Sequence, residues 1–178
     1  CWETHPERRV ANEMRRDNGG VLRGDHFAIT LDTFHDRRSA VVLNVNPVGG
    51  RMDGQVAAEG QYSGDWNPVW NVQTGRFDGG WTVEIAMPFK TLRYRAGADQ
   101  TWGFNMRRRV IWNNEIAYLS AVPAGTGANG TTRPSTFGTL VDLKAPAGSR
   151  NVEIKPYVVS SLSTDNTATP KVSNDPTG

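Results

Sequence analysis

The alternation of apolar and polar positions along the chain sets the first expectations. Residues 26–34 read H-F-A-I-T-L-D-T-F, with Phe27, Ile29 and Leu31 two apart on one face. That period predicts a strand with one buried and one wetter face. Asp36, Arg37 and Arg38 make a polar turn, and 39–46 return with Val41, Leu43 and Val45 aligned. The two segments predict an antiparallel hairpin, ended by Pro47 and Gly49-Gly50. In 81–87, Trp81, Val83, Ile85 and Met87 alternate with Thr82, Glu84 and Ala86. Asp78-Gly79-Gly80 is the turn before it, and Pro88 stops it because proline cannot donate to a ladder. Residues 89–94 predict one short helical turn. Residues 102–110 predict a strand with Trp102, Phe104 and Met106 on one side and Asn105, Arg107 and Arg109 on the other. Residues 115–122 are its expected partner, and 125–132 form a small-residue loop. Residues 6–17 stay open: Val10 and Met14 have helical spacing, but the segment is mostly polar.

At the carboxyl end the composition shifts. Ala145-Pro146-Ala147-Gly148 reads as a linker. Residues 152–162 read as one more strand with no partner in sight. Residues 163–178, rich in Thr, Asn, Asp and Pro, read as disordered. The opening residues look like the end of a strand. The sum is an all-β chain, an antiparallel β-sandwich over 1–143 that lacks strands at its N-terminus. A linker follows over 144–150, and 151–178 begin a second domain.

Composition agrees with this outline. A chain of 178 residues with 19 Gly and 10 Pro has room for many turns between short strands. The net charge of +2 and the dispersed basic residues give no patch that selects nucleic acid. The single cysteine, Cys1, excludes an internal disulfide. No apolar run approaches the ~20 residues of a membrane helix.

Most catalytic chemistry has no support. There is no G-x-S-x-G elbow, and only His5, His26 and His35 could serve a triad. No H-E-x-x-H or C-x-x-C is present for zinc. Asp25, Asp32, Asp36, Asp53 and Asp65 lie near expected turns, where oxygen ligands suit calcium, although turn aspartates more often cap backbone N–H groups. Glu84 and Glu115 are the carboxylates that could pair for glycoside hydrolysis, but a solvated or salt-bridged glutamate is the commoner case.

The aromatic residues are more informative. Six tryptophans is a high count for this length. Trp66-Asn67-Pro68-Val69-Trp70 sets two indoles around a proline, and Trp112 stands before Asn113-Asn114-Glu115. A sugar presents C–H faces that stack on indole and hydroxyls that need planar polar partners, and these stretches hold both kinds of group. The plain alternative is that Trp66 and Trp70 close one end of the sandwich. Arg107 and Arg109, facing one way from a strand, could hold a carboxylate bidentately, either from within the protein or from an acidic ligand; internal pairing is the plainer reading.

The segment Gly24-Asp25-His26 through Leu31-Asp32-Thr33-Phe34-His35-Asp36-Arg37-Arg38 resembles the family 9 carbohydrate-binding module-like domain of large exported bacterial proteins. So do Asn44 to Gly49 with Asp53-Gly54, Trp66 to Trp70, Gly80-Trp81-Thr82-Val83-Glu84-Ile85 with Pro88-Phe89, Gln100 to Asn105, Arg107-Arg108, and Asn114-Glu115. The resemblance spans 1–143. It implies a jelly-roll β-sandwich, a sugar held by paired tryptophans, and structural calcium. Carried over, Trp66 or Trp70, with Trp112, is the platform. From the residues themselves, Arg107, Arg109 and Glu115 are the expected polar partners, and Asp25 and Asp53 the candidate metal ligands. Residues 150–157 resemble the start of an outer-membrane-like β-barrel region, which implies a periplasmic or outer-membrane location and a barrel partner in the same chain. The leading expectation is a non-catalytic module that binds a glycan for a larger protein, itself of a kind often classed as hydrolase. A structural or gating domain of a barrel protein and a glycosyl-bond hydrolase are the rivals.

Overall fold

The computed structural model describes residues 1–146; the expected strand at 152–162 and the tail after it lie outside the described residues. Nine strands follow one another: β1 (His26–Asp32), β2 (Ala40–Val45), β3 (Arg51–Ala58), β4 (Gln61–Ser63), β5 (Asn71–Phe77), β6 (Gly80–Ala86), β7 (Asp99–Val110), β8 (Glu115–Tyr118) and β9 (Gly138–Lys144). Seven form one antiparallel sheet in the order β4-β3-β2-β1-β7-β8, with β9 also paired to β7, and β5-β6 form a second sheet. The fold is an all-β sandwich, as the alternation predicts. The hairpin is β1-β2, with Ile29 opposite Leu43. Its turn is held by Asp32, whose carboxylate accepts from the Asp36 and Arg37 N–H groups at 3.1 and 2.8 Å. Residues 6–17 are not a helix beyond a single 3-10 turn at Pro6–Arg8. The expected loop at 125–132 falls inside a 3-10 segment, Ala124–Thr132, kinked at Gly127. The linker expected from 144 begins on structured chain: Lys144 ends β9, and Ala145 donates to the Ala98 carbonyl at 2.8 Å.

One apolar core cluster lies between the sheets, and a second, of Ala40, Val42, Val56 and Phe137, lies on the other face of the large sheet. Leu43, Val45 and Trp70 are fully buried in the first, with Val72, Val83, Ile85 and Met87 packed on them. Phe27, Ile29 and Leu31 share that face but are only half-buried. The more deeply buried side of β1 is the other one, made of His26, Ala28, Thr30 and Asp32. This reverses the wet side expected from the sequence. Polar groups can be sealed there because they satisfy one another. The Thr30 hydroxyl donates to the Asn105 carbonyl at 3.1 Å. The Asn105 side chain accepts from Ser120 N–H at 2.9 Å and donates to the Ser120 carbonyl at 3.2 Å.

Arg107 is the charged member of this layer. It is buried, and it pairs with no carboxylate among the described residues, contrary to the internal ion pair expected. Its guanidinium donates instead to the Ala128 carbonyl and to Nε2 of His26 at 2.7 Å. His26 must then be neutral, with Nδ1–H donating to the Gly24 carbonyl at 2.8 Å and Nε2 free to accept. Burial, reinforced by Arg107, lowers the imidazole pKa to about 4 from 6.5. Above pH 6.5 the ring is neutral in both folded and unfolded chains. As the pH falls towards 4, the unfolded chain binds a proton that the native one refuses, so stability drops. The expected loss is on the order of 3 kcal/mol. Denaturant titrations between pH 7.5 and 4 should show this decline, and His26→Gln should flatten it; an unchanged decline in the variant would place its origin elsewhere.

Candidate functional site

Among the described residues the surface carries a wider and a smaller groove. The wider encloses about 970 Å³. Val41 and Gln55 form its floor, 63–69 one wall, and Thr33, Phe34 and 90–93 the other. Trp66 lines it while also packing on the Leu43, Val45 and Trp70 cluster, so its ring is only partly open.

The smaller groove encloses about 250 Å³ between residues 2–4, the end of β7 and the β7-β8 turn. Two indoles border it. Trp2 is 76% exposed and Trp112 is 36% exposed. Each is held from behind. Trp2 meets Phe77 edge-on at 4.8 Å, and Gly79 leaves the space its ring needs, since a Cβ there would stand 3.0 Å from it. Trp112 takes the edge of His5 at 5.0 Å and the Arg8 guanidinium at 5.1 Å from its centroid. The polar lining is Arg108, Glu3, Thr4, Asn113 and Glu115. Glu3 is bound by Arg9 and lies 3.8 Å from Arg108. Asn113 donates to Glu115 at 2.9 Å. Planar donors and acceptors therefore stand beside two exposed indoles.

The residues expected from the sequence divide sharply. Trp112 and Glu115 share the smaller groove, and Trp66 stands in the wider one. Trp70 is 1% exposed and presents no face to a ligand. Its Nε1–H donates to Asp53 Oδ2 at 2.8 Å. Arg107 is sealed in the polar layer. Arg109 is half-buried and donates to Asn114 Oδ1 at 3.3 Å; neither arginine lines a described groove. Arg108, on the opposite side of β7, is the arginine that reaches the site. Glu84 lies exposed on β6, away from both grooves, so it makes no pair with Glu115.

Asp25 and Asp53 each accept from protein donors. Asp25 accepts from the Val10 and Ile111 N–H groups at 3.0 and 2.6 Å, clipping the N-terminal arm to the end of β7. Asp53 accepts from Trp70 and from Arg16 at 3.1 Å. Burial nevertheless raises the Asp53 pKa above the usual carboxylate value. Among the described residues no group of three or more His, Cys, Asp or Glu side chains is arranged to hold a metal ion. Asp32 and Asp36 likewise cap backbone N–H groups.

Trp2 is the site residue that alternation could not find. It stands in a short polar stretch, and it reaches the groove through a long-range bridge to Gly80.

No family model and no curated protein matches the chain. Among solved structures it is similar to a family 9 carbohydrate-binding module from Caldicellulosiruptor kristjanssonii in complex with cellotriose. That match has a TM-score of 0.51 and 19% identity, and it covers 80% of this chain and 69% of that one. A family 9 module from the same organism in complex with glucose gives a TM-score of 0.49 at 17% identity, covering 77% of this chain and 66% of that one. The chain has the fold of a family 9 carbohydrate-binding module. In this family 9-like sandwich the tryptophans have separate duties, which stability can distinguish. Trp70→Ala should cost about 3–5 kcal/mol by opening a cavity and stranding Asp53, whereas Trp112→Ala should cost under about 1 kcal/mol. Equal losses in chemical denaturation would mean that Trp112 is a core residue too.

Proposed function

We propose that this domain binds a carbohydrate, without cleaving it, in the groove between Trp2 and Trp112. The observation that carries the reading is the pairing of two exposed indoles with Arg108, Asn113 and Glu115 around one small groove. An aromatic face receives the C–H side of a pyranose, and charged planar groups bond its hydroxyls more strongly than neutral ones do. The groove suits a single ring or chain end rather than a long stretch of polymer. Glu3, the other carboxylate there, is taken up by Arg9, so the site is read as a binding site and not as an acid–base pair. The fold neighbours bound to cellotriose and glucose support a glucose-type ligand as the first to test.

On this reading the module supplies glycan recognition to a larger exported protein. The resemblance of 150–157 to the start of an outer-membrane-like barrel supports that setting.

Calorimetric titration with glucose, cellotriose and a panel of other saccharides tests the proposal. Binding should weaken about tenfold or more in Trp112→Ala and in Trp2→Ala, and stay near the parent value in Trp66→Ala. A loss confined to Trp66→Ala moves the site to the wider groove. Absence of saccharide binding across the panel leaves the structural-domain reading in its place.

A further inference from the structure

Two cations share one covered face of the large sheet. In the β1-β7 register Arg107 is opposite Ala28 and Arg109 is opposite His26, so both arginines project from the same side. Their Cα atoms stand roughly 7 Å apart along the strand. Segment 124–132 packs over β1, β2, β7 and β8 here, and its Ala128 carbonyl accepts from Arg107.

Arg107 is 7% exposed. Its Nη atoms meet neutral acceptors: the Ala128 carbonyl, Nε2 of His26 at 2.7 Å, Thr131 Oγ1 at 3.4 Å and Asn44 Oδ1 at 3.5 Å. The last two are long for hydrogen bonds. Its Nε–H is buried and has no partner among the described residues. Arg109 repeats the pattern. It gives one Nη to Asn114 Oδ1 at 3.3 Å, and its Nε–H is also buried without a partner.

No carboxylate among the described residues comes within ion-pair distance of either arginine. Asp25, beside His26 in the chain, is taken up by the Val10 and Ile111 N–H groups. Glu115, opposite Val110, accepts from Asn113. Gathering like charges under cover is unfavourable unless an opposite charge joins them. The two unused Nε–H donors are the groups such a charge would engage.

We infer that this layer binds a small anion of carboxylate type, held between the Nε–H groups of Arg107 and Arg109. A carboxylate offers one oxygen to each arginine, and such charge-assisted bonds are strong and directional. Burial of both donors restricts the occupant to a few atoms. Arg109, half-buried beside the exposed Asn114, is the side of entry. An internal carboxylate and an acidic ligand were the two partners open to this pair in the sequence, and no internal one reaches it. Arg108 enters the Trp2–Trp112 groove from the opposite side of β7, so the inference does not depend on the carbohydrate reading.

Formate is the probe. It replaces morpholinoethanesulfonate, an anion too bulky to enter, at constant ionic strength. The arginine Nε–H signals are followed in a nitrogen-15 correlation spectrum, and the thermal midpoint is measured alongside. The Arg107 and Arg109 signals should shift together and saturate, and the midpoint should rise with them. Arg109→Gln should weaken formate binding about tenfold or more, and so should Arg109→Lys, which keeps the charge but loses the guanidinium Nε–H. Arg76→Gln, exposed on β5, should bind as the parent does. Shifts that stay linear in formate, or that persist unchanged in Arg109→Gln, overturn the inference. Parent-like binding by Arg109→Lys also overturns it, because charge alone would then attract the ion. Should Arg109→Gln fail to fold, the lysine variant decides.

Discussion

A buried indole N–H and a buried carboxylate each demand a partner, and the bond between Trp70 and Asp53 meets both demands at once. Asp53 sits on β3 in the large sheet, and Trp70 lies just before β5 in the small one. The bond therefore fastens one layer to the other. Arg16 adds the N-terminal arm by donating to Asp53 and to the Pro68 carbonyl at 2.9 Å. Tyr62 caps the Asp53 carbonyl at 2.9 Å, and burial, with Asp53 adding to it, pushes the phenol up to about 12. Asp53 is thereby a structural anchor between the two layers.

With the interior closed in this way, chemistry moves to the rims. The Arg107 and His26 layer shuts the polar face of the large sheet, and β5-β6 shut part of the apolar one. Among the described residues, the wide groove beside Trp66 and the small groove between Trp2 and Trp112 stay open. The small groove holds two exposed indoles at its edges, with Arg108 brought up from β7. Its preorganisation costs little, because Phe77, His5 and Arg8 hold the rings from behind.

The sequence made some of this legible and hid the rest for identifiable reasons. The β1-β2 hairpin, β6 and β7 are plain in the alternation, since each strand carries apolar residues two apart along the face towards the other sheet. The alternation could not say which side of β1 is more deeply buried, because both sides are covered. Thr30, His26 and Asn105 are silenced by long-range partners that no local pattern reveals. β3, β5 and β9 escaped because R-M-D-G-Q-V-A-A, N-V-Q-T-G-R-F and G-T-L-V-D-L-K hold few apolar positions. Of the candidate site, Trp112 and Glu115 were visible as an aromatic–polar cluster. Trp70 looked the same in sequence and differs only by Asp53 waiting for its N–H. Trp2 was invisible, since only the bridge to Gly80 brings it there.

The account turns on a partition of the indoles between a sealed interior and an open rim. Trp70, Trp81 and Trp102 are at most 3% exposed, whereas Trp2 and Trp112 are 76% and 36% exposed. The most direct measurement is a nitrogen-15 correlation spectrum of the indole N–H signals during titration with cellotriose. The account predicts saturable shifts at Trp2 and Trp112 with the interior indoles unmoved. Shifts centred on Trp70 or Trp81, or no shift at Trp2 and Trp112 while the sugar binds, would contradict it.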